Sequence, residues 1–281
     1  MKAPCEDFTA FETFILRSQG YMSSQELIPY WATSSGNHLI SSVFCDSLNK
    51  MISLETIETY KDTFPEKQFT REPSKVIRFT YSKQPEVLAV QEAPENIPNN
   101  FLRLLNYKDV TEEYWPTGDL SCQLFSMSAD QIAYACVLNY QFWQPTWWGR
   151  ANTGNVLFSN MTKGVVYLPA YYNEGKIVPA GDPVAFGYNN IQVLKPDTLN
   201  LRSVVVEEQE KYLKFRPFKQ YKLFYWDKEW ILIAEKTTGE STKELVYDQV
   251  PQNALLLLIP EYSQRKERPF IITEEKQRVW F

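Results

Sequence analysis

The sequence predicts an α+β protein: a short helix-and-strand unit at the N-terminus, then two tandem all-β sandwich modules. Three observations predict it. Helical spacing of apolar residues is confined to the first twenty positions, where Phe8, Phe11 and Ile15 fall at i, i+3 and i+7. From about Asn106 onward, short runs of Val, Ile, Tyr, Phe and Trp are cut by Asn, Gly, Asp and Pro, which is the pattern of an all-β chain. That region also repeats itself. V-L-F-S-N-M-T-K-G-V-V-Y-L-P (156–169) aligns with L-V-Y-D-Q-V-P-Q-N-A-L-L-L-L (245–258), and hydrophobic positions coincide almost throughout.

Taken in order, the first element is a helix opening at Cys5. Pro4 suits its entry, Phe14 and Leu16 widen the apolar face, Arg17 suits the last turn and Gly20 suits the position after the end. Cys5 then lies at the positive end of the helix dipole, where a thiolate is favoured. His38, the only histidine of the chain, opens a strand that ends at Asp46, and a second strand runs from Met51 to Glu55. Thr59 to Ser74 is charged, carries Pro65 and Pro73, and reads as a connection over the surface. K-V-I-R-F-T-Y-S (75–82) alternates with period two and reads as a strand. A loose stretch with Pro85, Pro94 and Pro98 follows. These signals divide the chain into 1–75, a strand and linker over 76–106, and two β-sandwich modules, 107–196 and 197–281.

Composition narrows the function. The chain has 281 residues, 44% hydrophobic and 15% aromatic, ample for a buried core. Its net charge is −5 and no basic stripe is present, which argues against nucleic acid as a partner. The longest apolar run, Ala254 to Pro260, is too short to span a bilayer. Glu6 and Asp7 interrupt the start of the chain, so it does not read as a signal peptide. Four cysteines without a C-x-x-C spacing, and one histidine, argue against a zinc site. Asp46, Glu55, Glu58 and Asp62 fit no calcium loop and read as a solvated acidic face. No metal or cofactor is expected. Cys122 and Cys136 lie on neighbouring candidate strands and read either as a pair or as small buried thiols.

C-E-D-F-x(3)-F-x(3)-L-R-S-x-G, then I-P-x-W, then G-x-H leading into a strand, resembles the second half of a transglutaminase-like cysteine domain of the type found in multidomain proteins of gut Bacteroidetes. F-x-N-M-x-K-G-V-V-Y-L-P-x-Y-Y resembles the region that follows that core, and V-P-x-N-A-L-L-L-L through to Val279-Trp280 resembles their C-terminal module. The likeness implies a partial transglutaminase-like core over 1–75. It implies Cys5 as nucleophile, His38 as base, and Asp46 or Glu55 as the acid that orients the imidazole. The substrate class it implies is a protein or peptide carboxamide, with the acyl group passing to water or an amine, and the location it implies is the periplasm or cell surface. Two departures stand out. Leu39 replaces the aromatic that normally follows the histidine, and only Met1 to Pro4 precede the cysteine, where the family has a substantial segment.

A second functional reading rests on the β modules. Y-Q-F-W-Q-P-T-W-W (140–148), followed by Arg150, offers Trp147, Trp148 and Arg150 as a platform for a glycan, because flat apolar sugar faces stack on rings. Against it, L-N-Y with Trp143 and Trp147 aligns with L-F-Y with Trp226 and Trp230, and residues shared by duplicated modules mark a common core. Adjacent tryptophans on a strand are also expected to point to opposite faces. The repeat further sets Phe158 against Tyr247 and Val166 against Leu255, each expected to face its own module's core.

Overall fold

The structure, a computed structural model, describes residues 4–54, 71–126, 131–209, 213–273 and 278–281. About half of the chain is strand (51%) and only 11% is helical, so the fold is close to all-β and the expected α+β class is corrected. The physical reason is that helical periodicity occurs once. Beyond α1 (Cys5–Ser18), the helices α2 (Leu88–Gln91) and α3 (Thr111–Tyr114) are single turns, and Pro94 and Pro98 leave nothing longer in the stretch between them. Among the described residues, no helix is long and apolar enough to cross a membrane.

The N-terminal unit is a five-stranded antiparallel sheet in the order β3-β2-β1-β4-β5. Its strands are β1 (Ser23–Ile28), β2 (His38–Cys45), β3 (Lys50–Ser53), β4 (Ile77–Phe79) and β5 (Tyr107–Asp109). β5 pairs β4 through Ile77–Asp109 and Phe79–Tyr107, so the strand that opens the 107–196 segment is the edge of this first sheet. One face carries Ile28, Trp31, Ile40, Val76, Val110, Tyr114 and Trp115. The other face, over β1 and β2, is covered by α1. The described end of the expected surface connection runs inward: Glu72, Pro73 and Ser74 are buried, and Pro73 bridges Trp31.

The next segment forms an eight-stranded sheet along the path β13-β12-β10-β7-β8-β9-β6, with β11 on β10. Its strands are β6 (Thr117–Gln123), β7 (Ile132–Asn139), β8 (Phe142–Asn152), β9 (Asn155–Thr162), β10 (Val165–Asn173), β11 (Lys176–Pro179), β12 (Val184–Phe186) and β13 (Ile191–Val193). β8 and β9 pair only at their hairpin, through Ala151–Val156 and Asn152–Asn155. The sheet folds over there, and Leu120, Val156 and Phe158 meet Ala133, Val137 and Tyr167 inside.

The last segment repeats this strand order. β14 (Asp197–Glu207) pairs β17 (Glu244–Gln252) as β6 pairs β9, while β16-β15-β18-β19-β20 follows the order of β8-β7-β10-β12-β13. These strands are β15 (Gln220–Trp226), β16 (Trp230–Thr237), β18 (Leu256–Pro260), β19 (Phe270–Ile272) and β20 (Arg278–Trp280). Both long hairpins carry a bulge at the same place: between Ala135 and Cys136 in the first, between Leu223 and Phe224 in the second. Strand pairing fixes the equivalences. Leu168 lies opposite Cys136, and Leu257 lies opposite Phe224, so Cys136 answers Phe224. Across the hairpins, Trp143 then answers Trp230, and Trp147, opposite Ala135, answers Ala234, opposite Leu223. The sequence alignment of these tryptophans is therefore out of register. Insertions and bulges in a short aromatic-rich hairpin let several alignments look equally good.

Phe158 and Tyr247 are both fully buried and each lies inside its own sandwich. Val166 and Leu255 do not. Both belong to a cluster on the outer face of the β7–β10 sheet, where Tyr134, Cys136 and Leu168 meet Ile77, Leu88, Leu102 and Tyr107 of the preceding segments and Trp226 and Phe281 of the last one. Every residue of β7 is buried for this reason. A strand covered on both faces loses the alternation from which facing is read. The same geometry separates the two candidate disulfide partners. Cys122 lies inside the sandwich and Cys136 on its outer face, and all four cysteines are free thiols. Burial raises both thiol pKa values, that of Cys122 to about 12.

Candidate ligand cleft

Cys5 and His38 occupy the elements expected of them, the first turn of α1 and the first position of β2. The sheet separates them. The Ser41 hydroxyl donates to the Thr9 carbonyl, so Ser41 and its alternates on β2 face the helix, whose inward stripe is Thr9 and Thr13 with Cys5 one turn before. His38 lies opposite Ile28 and shares a face with Ile40, away from the helix. Its ring stacks on Trp31, with centroids 6.1 Å apart. Among the described residues no hydrogen bond joins Cys5 to His38, and the Cys5 thiol lies 3.5 Å from Glu6 Oε2. Asp46 follows the far end of β2, about 25 Å along the strand from His38 at some 3.3 Å per residue. It cannot orient that imidazole. Glu55 lies outside the described residues.

A different site is assembled where the edge of the N-terminal sheet meets the first sandwich. A cleft of about 540 Å³ is bounded by Tyr107, Lys108 and Asp109 of β5, by Trp147, Trp148 and Gly149 of β8, and by Leu157 and Ser159 of β9, with Glu86 and Val87 closing one side. Clefts of this size at unit boundaries are the usual form of a small-molecule site. Adjacent residues 147 and 148 both border it, contrary to simple alternation. The extra residue of the bulge, Thr146, twists the strand just before them. Gly149 is needed here, since a Cβ at that position would sit 2.4 Å from the Leu157 carbonyl oxygen.

The floor of the cleft is an enclosed ionic network. Lys75 is fully buried and donates to Asp109 Oδ2 (2.6 Å), the Ser159 carbonyl (3.0 Å) and the Asn160 carbonyl (2.8 Å). All three ammonium protons are thereby used. The ammonium also lies 4.1 Å from the centre of the Trp147 ring, which fixes that indole. Burial pulls the Lys75 pKa down to about 8 against the opposing pull of Asp109. Asp109 is saturated as well, accepting from Asn160 Nδ2 and from the Thr111 backbone and hydroxyl in addition to Lys75. Among the described residues the buried Tyr107 hydroxyl has no hydrogen-bond partner, and burial beside Asp109 raises its pKa.

Arg150 takes no part. It pairs with Glu92 at 2.7 Å outside the cleft. Of the three sequence-predicted ligand residues, the structure therefore brings Trp147 and Trp148 together and leaves Arg150 in a half-exposed ion pair. Sequence reasoning missed Lys75, Tyr107 and Asp109. Lys75 stands only as the first residue of a predicted strand; the usable signal was the Y-K-D tripeptide, a three-residue strand whose Tyr and Asp share one face. No family model matches the chain, and neither a curated protein nor a solved structure matches it.

Proposed function

We propose that this chain is a non-catalytic carbohydrate-binding protein whose sugar lies in the Trp147–Trp148 cleft. One observation carries the proposal. In the repeated strand order, Trp147 and Trp148 answer Ala234 and Glu235, so these two indoles are private to the first sandwich and are not part of a core shared by both. A private aromatic pair at a cleft, held on an ordered ionic floor, has the form of a binding site with little ordering cost on binding. Indole faces stack on the C–H faces of a pyranose. Glu86 and Lys108 supply polar partners for ring hydroxyls. The one strong nucleophile at the floor, Lys75, is enclosed with its protons committed, so the cleft is suited to binding and not to covalent chemistry.

In this reading the N-terminal unit keeps a transglutaminase-like ancestry, carried by Cys5 opening a helix and His38 opening a strand, without the chemistry. The opposite facing of the two side chains and the remote Asp46 support the absence of the chemistry and weigh against the ancestry, which rests on the sequence likeness alone.

The test is titration calorimetry against a panel of neutral oligosaccharides. At least one should bind, and Trp148→Ala should weaken it more than tenfold, about 1.4 kcal/mol or more. Glu235→Ala, at the equivalent place in the last segment, should leave affinity unchanged. Absence of binding across the panel, or a Trp148→Ala protein that binds like the parent, overturns the proposal. Release of ammonia from a glutamine peptide that disappears in Cys5→Ala would restore the catalytic reading.

A further inference from the structure

A second cleft, of about 510 Å³, lies between the N-terminal unit and the last segment. Arg71, Lys214, Lys266 and Arg268 border it, against a single carboxylate, Glu267. In a chain of net charge −5 this is a local inversion of sign. Glu267 does not cancel it by pairing, because its Oε2 accepts from Gln141 Nε2 (2.6 Å) and from the Ser263 hydroxyl (2.7 Å). Arg71, Lys214 and Lys266 make no ion pair among the described residues. Glu72 lies near Arg268 but is buried, and burial raises its pKa to about 7, so much of its charge is absent at neutral pH.

The walls add ring surface. Tyr221 and Tyr262 join hydroxyl to hydroxyl at 2.7 Å, and Trp280 borders the same space. We propose that this cleft binds a small ring compound carrying an oxyanion, a carboxylate or a phosphate ester, through Arg71, Lys214 and Lys266. Arg71, Lys214 and Lys266, which make no ion pair among the described residues, raise the local concentration of anions around a concave, partly apolar site and can form charge-assisted hydrogen bonds with them. The proposal is independent of the tryptophan cleft, which shares no residue with it.

The test uses the intact chain at low ionic strength, titrated with an oligogalacturonate, with glucose 6-phosphate, and with an uncharged oligosaccharide of matching size. Binding of at least one anionic probe is expected, weakening at least tenfold between about 20 mM and 200 mM salt as screening shortens. The probe that binds more tightly identifies the carboxylate or the phosphate as the source. In the double variant Lys214→Glu/Lys266→Glu, both exposed positions, the melting temperature should be unchanged and anion binding at least tenfold weaker. Neutral-saccharide binding at the tryptophan cleft should be unaffected in the same variant. The proposal is overturned if neither anionic probe binds at 20 mM salt. It is equally overturned if the double variant binds as tightly as the parent, which would place the attraction elsewhere on the surface.

Discussion

Glu72 sits where a carboxylate is costly, enclosed behind Trp31 and accepting the Thr33 hydroxyl at 2.6 Å. Burial raises its pKa from 4.5 to about 7. Between those values the folded chain holds a proton that the unfolded chain has released, so stability falls as pH rises through that window. The size is about 3 kcal/mol, from 1.36 kcal/mol per pKa unit. Urea unfolding at pH 5 and at pH 8 should show the chain more stable at pH 5 by this contribution. Glu72→Gln, which keeps an acceptor for Thr33, should remove that part of the difference; an unchanged difference would show that Glu72 is ionised in the folded state. Little of this residue-scale detail was legible. Glu72 stood in a charged, proline-bearing stretch and read as surface, because sequence records no burial imposed by a neighbouring bridge. Trp147 and Trp148 were legible as candidates by type, and their private status emerged only from strand register.

At the scale of elements, α1 was read correctly as a helix and incorrectly as to its face. Phe8, Phe11 and Phe14 are 49%, 62% and 72% exposed, while Thr9 and Thr13 are buried. The sheet explains the inversion. β1 and β2 present Ser23 and Ser41 toward the helix, and their hydroxyls donate to the Thr13 and Thr9 carbonyls, while the Thr9 hydroxyl donates to the Leu39 carbonyl. A polar sheet face takes a polar helix stripe, since buried hydroxyls need partners. The serine-rich strands were visible in the sequence, but an apolar stripe is ordinarily assigned inward. Phe11→Glu should therefore change the unfolding free energy by no more than about 0.5 kcal/mol, as for other exposed substitutions. Thr9→Val, nearly the same size, should cost about 1 kcal/mol by leaving the part-buried Leu39 carbonyl without its hydroxyl donor. Denaturant unfolding of the two variants decides it. A large loss in Phe11→Glu would mean that the phenylalanine stripe is covered.

At the scale of the whole molecule, the largest apolar cluster among the described residues belongs to no single segment. Ile77, Leu88 and Tyr107, then Tyr134, Val166 and Leu168, then Trp226, Leu255 and Phe281 all contribute to it. Trp143 carries the contact further, meeting Trp226 edge-to-face at 5.3 Å from the tip of its hairpin. Periodicity made the two β segments visible as repeats, but it carried no information about this seam. The seam buries the second face of strands that already bury one, and such strands read only as continuous apolar runs. The seam has a consequence for unfolding. Were the segments joined only by their linkers, each would melt separately, and a substitution in one would split the transition in two. With a shared cluster, loss of packing at any member is felt by all. Leu255→Ala should lower stability by about 2–5 kcal/mol, the cost of a large-to-small change at a fully buried site. It should do so as one shifted transition, coincident by tryptophan fluorescence and by far-ultraviolet circular dichroism. A biphasic melt in Leu255→Ala, with one phase at the temperature of the parent, would show that the last segment folds on its own and that the cluster does not couple it to the rest.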